Sequence, residues 1–276
     1  MNWFLPAILA SLFWGVGQTL IKKGLSDLSP YMSIFIGTIF ALILYIPYSL
    51  VSGIKLDSFP GILVFGFLAN LPNYVFPYIL KKANVSLSGT VVATYPIYTI
   101  ALSLIFLHES LDFFQIFGIL VIILGMFMVA KPENEKLKIA SWVIWALLGS
   151  IVIGLGDFIG KVTLTKYDLS SFILALAIGG IPALLVFRLF DKSKIKMGKI
   201  SSNVRAGLLG NLIMPIGLIA LYTAFNNGPA SLASPVASTY PAITAVLAYF
   251  YLKEKLNRNQ ILGIIAVTIG VIFIGI

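Results

Sequence analysis

Residues 86–125 read SLSGTVVATYPIYTIALSLIFLHESLDFFQIFGILVIILG, and residues 231–270 read SLASPVASTYPAITAVLAYFYLKEKLNRNQILGIIAVTIG. Laid one on the other without a gap, at a shift of 145 positions, they agree at sixteen of forty places. Matches of Leu on Leu or Ile on Ile follow from a shared apolar composition. The match of Thr94-Tyr95-Pro96 with Thr239-Tyr240-Pro241 does not, nor do Glu109 on Glu254, Gln115 on Gln260, Gly118 on Gly263 and Gly125 on Gly270. A fainter echo links Gly17, Gln18 and Lys22 to Gly156, Asp157 and Lys161. An internal duplication of this size within apolar sequence is the mark of a carrier with two equivalent halves.

The rest of the 276-residue chain matches that unit in kind. It is 59% hydrophobic and 11% charged, against about 25% charged in soluble domains. In water such a chain would expose large apolar patches; in lipid that surface is the ordinary one. Ten apolar stretches follow one another, at 3–22, 30–51, 59–80, 84–107, 113–130, 140–164, 169–190, 204–225, 229–252 and 259–275. Each is near the ~20 residues that cross a ~30 Å hydrocarbon core as a helix. All are too long and too continuously apolar for barrel strands. The expected fold is an all-α polytopic membrane protein with ten transmembrane helices in two inverted five-helix repeats. Residues 1–130 form the first repeat, 131–139 a linker and 140–276 the second. Twelve Tyr and four Trp suit interfacial belts. No basic segment precedes the first stretch, so it reads as a membrane helix rather than a cleaved signal. The sequence closes inside an apolar stretch at Gly275-Ile276, and no soluble tail domain is expected.

Five is an odd number, so the second half must enter the membrane from the opposite side. Charge tests this. Sixteen of the nineteen Lys and Arg fall in odd-numbered connections, among them Lys22-Lys23, Lys81-Lys82, the stretch Arg188 to Arg205, and Lys253, Lys255 and Arg258. Even connections hold only Lys55 and Lys166, and Lys161 lies within a helix. Positive residues stay cytoplasmic. The expected protein is therefore a multi-pass protein of the plasma membrane with both termini extracytoplasmic. Equivalent connections carry opposite charge, His108-Glu109-Ser110-Leu111-Asp112 in one copy and Lys253-Glu254-Lys255-Leu256-Asn257-Arg258 in the other. A net charge of +9 could point to nucleic acid, but the positive residues sit in short connections rather than on one patch, and no nucleic-acid partner is expected.

Further residues carry a resemblance. Phe13-Trp14-Gly15 stands early in the first stretch, and a Glu-x-Leu-x-x-x-Gln-x-x-Gly signature occurs twice, as Glu109, Leu111, Gln115 and Gly118, then as Glu254, Leu256, Gln260 and Gly263. The chain resembles the EamA-like transporters of the drug/metabolite transporter superfamily over essentially its whole length. The resemblance implies a central cavity walled by helices 1–4 and 6–9, with helices 5 and 10 peripheral. It implies alternating access for amino acids, sugars, nucleotide precursors, amines or other metabolites. Members of the family are commonly described with cytoplasmic termini, and here the charge count places them outside.

Asp157 is the one acid deep within an expected span. Ionisable groups in lipid are expensive and mark cavities or pathways, so Asp157 is expected to bind a cationic or polyhydroxy solute or to exchange a coupling proton. The structural alternative is a pair with Lys161, four residues on along the helix. Lys161 is otherwise a gate or anion-steering residue, or snorkels to the interface. Gln18 is the mate of Asp157, and Trp14 lies one turn before it; both are expected solute ligands, with helix packing as the alternative. Asn70 and Asn73 on the third stretch, and Asn211 and Tyr222 on the eighth, are expected to line the cavity. Pro72 and Pro215 on the same stretches are expected to kink them, because proline frees carbonyls in a membrane helix. Tyr95-Pro96 and Tyr240-Pro241 are cavity and hinge candidates, and the small residues before them favour close helix packing. Glu109 and Glu254 read as N-terminal caps of helices 5 and 10.

The chain has no cysteine and a single histidine, His108, so thiolate chemistry and a His/Cys metal site are excluded and no metal or cofactor is expected. No HExxH, GxSxG or GxxxxGK[ST] motif occurs. The function expected is secondary active transport of a small polar metabolite (neutral, zwitterionic or cationic rather than multiply anionic) by alternating access. The alternatives are an intramembrane enzyme, for which only a Ser-Lys dyad at Lys161 is available, and a scaffold or receptor subunit, which would not need the duplication. The partners expected are a small-molecule solute and the lipid bilayer. Ten helices complete a pathway, so a monomer is expected, with a dimer as the alternative.

Overall fold

A computed structural model describes residues 2–55, 59–82, 94–130, 141–191, 195–196, 198–251 and 255–275. The described chain is helical: α1 Phe4–Gly24, α2 Pro30–Ser52, α3 Phe59–Lys82, α4 Tyr95–Phe106, α5 Phe113–Ala130, α6 Ser141–Lys166, α7 Leu169–Phe190, α8 Ser202–Asn227, α9 Ala230–Ala237, α10 Tyr240–Tyr251 and α11 Arg258–Gly275. Among the described residues six helices are long and apolar enough to cross a bilayer, over Phe4–Gly24, Pro30–Ser52, Leu148–Lys166 within α6, Leu169–Leu189, Ser202–Asn227 and Arg258–Gly275. Large apolar side chains such as Leu5, Phe114, Leu124, Leu185 and Leu189 stand exposed on the outside of the bundle, a surface that suits lipid. The expected linker 131–139, residues 84–93 of the fourth expected stretch, and Glu254 lie outside the described residues.

The ninth expected stretch, 229–252, is two helices rather than one. α9 stops at Ala237, Ser238 and Thr239 form a turn, and α10 resumes at Tyr240. The cause is proline. Pro241 has no N–H and its ring crowds the carbonyl four residues back, so a helix cannot run through it undisturbed. The carbonyls left over are taken up locally, Pro235 O by Ser238 Oγ at 2.8 Å and Val236 O by Thr239 Oγ1 at 2.7 Å.

Helix starts are set by side chains that accept the free N–H groups of the first turn. Ser29 accepts from Met32 N–H, Asp168 from Ser171 N–H, and Ser201 from Val204 N–H, at 3.2, 2.9 and 3.1 Å. Burial alone would raise the Asp168 carboxyl, but hydrogen bonds from Ser170 and Ser171 outweigh it and hold the group below the ordinary carboxylate range. The Gln of the doubled signature has the same duty in both copies. Gln115 and Asp112 exchange hydrogen bonds before α5, at 3.1 and 2.9 Å. Gln260 and Asn257 do so before α11, at 3.0 and 2.9 Å. Each is a capping box. Glu109 does not cap helix 5, as its position led us to expect, because Asp112 already fills that place. Its carboxylate accepts instead from Ala230 N–H at 3.0 Å and Ser231 N–H at 2.9 Å, at the start of α9.

Glycines set the closest crossings. A β-carbon on Gly118 would stand 2.8 Å from Gly270 O, and one on Gly125 would stand 2.8 Å from Gly263 O. Reciprocally, a β-carbon on Gly270 would lie 2.7 Å from Gly118 O, and one on Gly263 would lie 2.6 Å from Gly125 O. The start of α5 thus meets the end of α11 and the reverse, so the two helices run antiparallel. A second joint occurs twice. Thr244 Oγ1 on α10 lies 3.3 Å from Gly15 O on α1, and Thr99 Oγ1 on α4 lies 3.3 Å from Gly154 O on α6. Inside this frame α1 packs on α8, α3 on α7, α4 on α6, and α2 against both α7 and α8. Helices of one half lean mainly on helices of the other.

Candidate functional site

The inner helices enclose a cavity of about 160 Å³. α1 brings Trp14 and Gln18 to it, α3 Asn70, and α4 Tyr95. From the other half come Asp157 on α6, Asn211, Pro215 and Tyr222 on α8, and Tyr240 on α10. Among the described residues α5, α7 and α11 contribute nothing to its wall. The wall therefore lacks helix 7, which the family resemblance had placed in it; α7 stands behind α2 and α3 and supports them. Asn73 and Pro72 lie on α3, but their side chains fall outside the described residues.

Asp157 is buried, 7% exposed. Its Oδ2 accepts the Ser234 hydroxyl of α9 at 2.9 Å, so the short first piece of the broken helix is tied directly to the acid. Lys161 does not reach the cavity and does not pair with Asp157. One turn further along α6, its ammonium donates to Phe225 O at 2.6 Å and Gly228 O at 2.8 Å, at the C-terminal end of α8. A cation there complements the negative end of the helix dipole. Glu109 receives the N–H groups of α9 just beyond it. The turn from α8 to α9 is thus held by a positive charge on the ending helix and a negative charge on the starting one.

The other wall groups are fixed by neighbours. The Asn70 amide donates to Gly66 O at 2.7 Å and Leu176 O at 2.9 Å. The Asn211 amide donates to Gly207 O at 2.8 Å and Ser33 Oγ at 2.9 Å. Trp14 meets Tyr240 edge-on with ring centres 6.0 Å apart, and Phe172 backs Tyr222 at 4.9 Å. Gly217 makes room for the Trp14 indole, since a β-carbon there would stand 2.7 Å from its Nε1. Pro96 and Pro241 sit in the first turns of α4 and α10, where the missing N–H costs nothing. They start helices rather than kink them. Pro215 lies inside α8, and its carbonyl accepts the Tyr45 hydroxyl at 3.3 Å.

Four contributors escaped the sequence reading. Tyr45 and Thr38 of α2 line the cavity, but α2 is so uniformly apolar that nothing in its pattern marks a polar face. Ser234 belongs to a run of small residues whose spacing speaks of packing, and only its partner reveals its second role. Tyr74, which also lines the cavity, donates its hydroxyl to Gly180 O at 2.8 Å.

A cavity lined by helices of both halves, with Asp157 in its wall, suits a carrier, and comparison with known proteins decides the family. The model of the EamA-like transporter family matches residues 1–131 and again 140–276. The chain belongs to the EamA-like transporter family. It is a multi-pass membrane transporter, and the family points to transport of a small solute through a lipid bilayer rather than to catalysis. An uncharacterized transporter of Clostridium kluyveri is 25% identical over 95% of this chain and 89% of its own length. An uncharacterized transporter of Archaeoglobus fulgidus is 21% identical over 98% and 96%. An uncharacterized protein of Methanocaldococcus jannaschii is 31% identical over 134 residues, which are 96% of that protein and 49% of this EamA-like chain. A solved crystal structure, 16% identical, matches with a TM-score of 0.78 over 98% of this chain and 94% of the other, which shows the shared fold alone.

Proposed function

We propose that this EamA-like protein is a secondary active transporter that moves a small polar metabolite by alternating access around the central cavity. Its ten spans form two inverted repeats, residues 1–130 and 140–276, joined by 131–139. The observation that carries this reading is the reciprocal crossing of α5 and α11. Positions 118 and 263 correspond in the two copies, as do 125 and 270, and each glycine meets the mate of the other. Exchanging the copies returns the same contact between antiparallel helices. That relation is the one expected of an axis perpendicular to both helices, as inverted repeats in a membrane possess. The paired joints at Gly15 and Gly154 obey the same exchange.

In this reading Trp14, Gln18, Asn70, Tyr95, Asp157, Asn211, Tyr222 and Tyr240 contact the solute. Asp157 is the group that exchanges a coupling proton, Pro72 and Pro215 mark where helices bend as the halves rock, and Pro96 and Pro241 mark the joints where α4 and α10 begin. The protein works as a monomer in the plasma membrane with both termini outside.

Two measurements test this. Purified protein in liposomes loaded with a mixed metabolite extract should release a small set of solutes, saturably, and protein-dependent release of none sinks the transport reading. An alkaline phosphatase fusion should be active at the C-terminus and inactive within residues 191–203; the reverse pattern overturns the orientation.

A further inference from the structure

The cavity wall can be sorted by what it offers a guest. Among the described residues its one acid is Asp157, and no Lys, Arg or His lines it. The nearby Lys161 ammonium is engaged with two carbonyls. An Asn amide has two N–H bonds. Those of Asn70 face Gly66 O and Leu176 O, and those of Asn211 face Gly207 O and Ser33 Oγ. The carbonyl acceptors fix which end of each amide is nitrogen. The hydroxyls of Tyr45 and Tyr74 donate to Pro215 O and Gly180 O. Those donors are therefore turned into the protein.

The acceptors are not. Asp157 has one oxygen on Ser234, and among the described residues its other oxygen has no partner. Among the described residues the Tyr95 hydroxyl, buried at the cavity, has no well-aligned hydrogen-bond partner, the Ser234 hydroxyl beside it being turned to Asp157. A buried carboxylate without a counter-charge is costly, and so is a buried hydroxyl left unbonded. Around this acceptor-rich spot stand the rings of Trp14, Tyr222 and Tyr240, whose faces attract cations.

We infer that the cavity takes a small organic cation, an ammonium whose N–H groups reach Asp157 and Tyr95 among these rings. The inference rests on the transport reading and narrows its solute. A multiply charged anion meets a carboxylate and no cation. A neutral polyol leaves the carboxylate uncompensated. The cavity of about 160 Å³ has room for a small amine.

Propylammonium, propionate and 1-propanol have nearly the same size and differ in the head group, so they isolate charge. The purified full chain in detergent micelles is heated with each, at matched ionic strength. Propylammonium should raise the unfolding midpoint by several degrees, and the other two should not. Asp157→Asn should weaken propylammonium binding at least about tenfold, as loss of a charged hydrogen-bond partner does. Tyr95→Phe, which keeps the ring and the fold, should weaken it by a smaller factor, and it carries the test if the Asp157 variant does not fold. Stabilisation by propionate or propanol instead, by none of the three, or equally in both variants and the parent, overturns the cation site. Liposome flux separates the two ideas. Propylammonium that binds but does not cross sinks the transport reading and leaves the site. Propionate that crosses while propylammonium does not leaves transport and sinks the cation.

Discussion

Gln18 and Asp157 occupy matching places on α1 and α6, and both face the cavity, yet one is a neutral amide and the other an acid. The residues that the repeat pairs beside them differ in the same sense. Asp157 has the hydroxyl of Ser234; the residue matching Ser234 in the first copy is Gly89, which offers none. The joints around them are alike. Gly15 and Gly154, Thr99 and Thr244, and the four glycines of α5 and α11 repeat both residue type and contact. The two copies thus agree where helices press together and differ where the cavity needs charge. Close crossings tolerate no change in side-chain size, because a neighbouring backbone stands in the way. Cavity positions face open space and are free to diverge.

The largest effect should come from breaking a shared crossing. In Gly125→Val the new β-carbon would stand 2.8 Å from Gly263 O, and in Gly263→Val 2.6 Å from Gly125 O. Neither obstacle is a side chain that can swing aside. Each variant should lose at least ~3 kcal/mol, the upper range for overpacking, measured as thermal unfolding of the purified protein. The losses should be similar, since both insert bulk into the same reciprocal contact. A tolerated valine at one position alone would show that the two sides of this crossing are not equally close.

The clasp on the α8–α9 turn comes next. Lys161→Met leaves the carbonyls of Phe225 and Gly228 without their ammonium and should cost ~1–3 kcal/mol, the penalty for partly buried acceptors left unpaired. Glu109→Gln should cost less, because an amide oxygen still accepts one of the two N–H groups now shared between Ala230 and Ser231. Equal stability of Lys161→Met and the parent chain would mean that water replaces the ammonium and that the turn needs no clasp.

Much of the frame is legible in the sequence because lipid and duplication both leave marks there. Apolar length announces the helices. The match of Gly118 with Gly263 and of Gly125 with Gly270 announces a joint that neither copy explains alone. The cavity is legible where a polar residue interrupts a span, as at Asp157, Asn70 and Asn211. It is not legible where a polar side chain is half aromatic, as at Tyr45, or where a small hydroxyl hides among small residues, as at Ser234. Lys161 misleads for a different reason. Spacing places it one turn from Asp157 on the same helix, but the charge answers to the carbonyl end of α8, which no pattern within α6 reveals. Glu109 misleads likewise, since its helix N-terminus is contributed by α9, more than a hundred positions further along the chain.

The smallest expected effect is also the most direct measure of equivalence. Thr99→Val and Thr244→Val remove one hydroxyl each and keep the side-chain shape. The carbonyls they reach, Gly154 O and Gly15 O at 3.3 Å, lie within α6 and α1 and keep their own helical hydrogen bonds, so neither substitution strands an acceptor. Each loss should be near the ~0.6 kcal/mol found on average for hydrogen bonds between membrane helices, measured by reversible unfolding in mixed micelles. Thr244 also lies 3.0 Å from Tyr240 O, and Thr99 a longer 3.5 Å from Tyr95 O, so Thr244 is the better bonded within its own helix. Each Val variant loses both bonds of its hydroxyl, and the interhelical one is geometrically the same at the two sites. The two values should therefore agree within about 0.5 kcal/mol, and their sum should match the double variant, as for sites that do not touch. Unequal losses, or a double variant far from the sum, would mean that the joints are linked through the cavity between them rather than built twice from one plan.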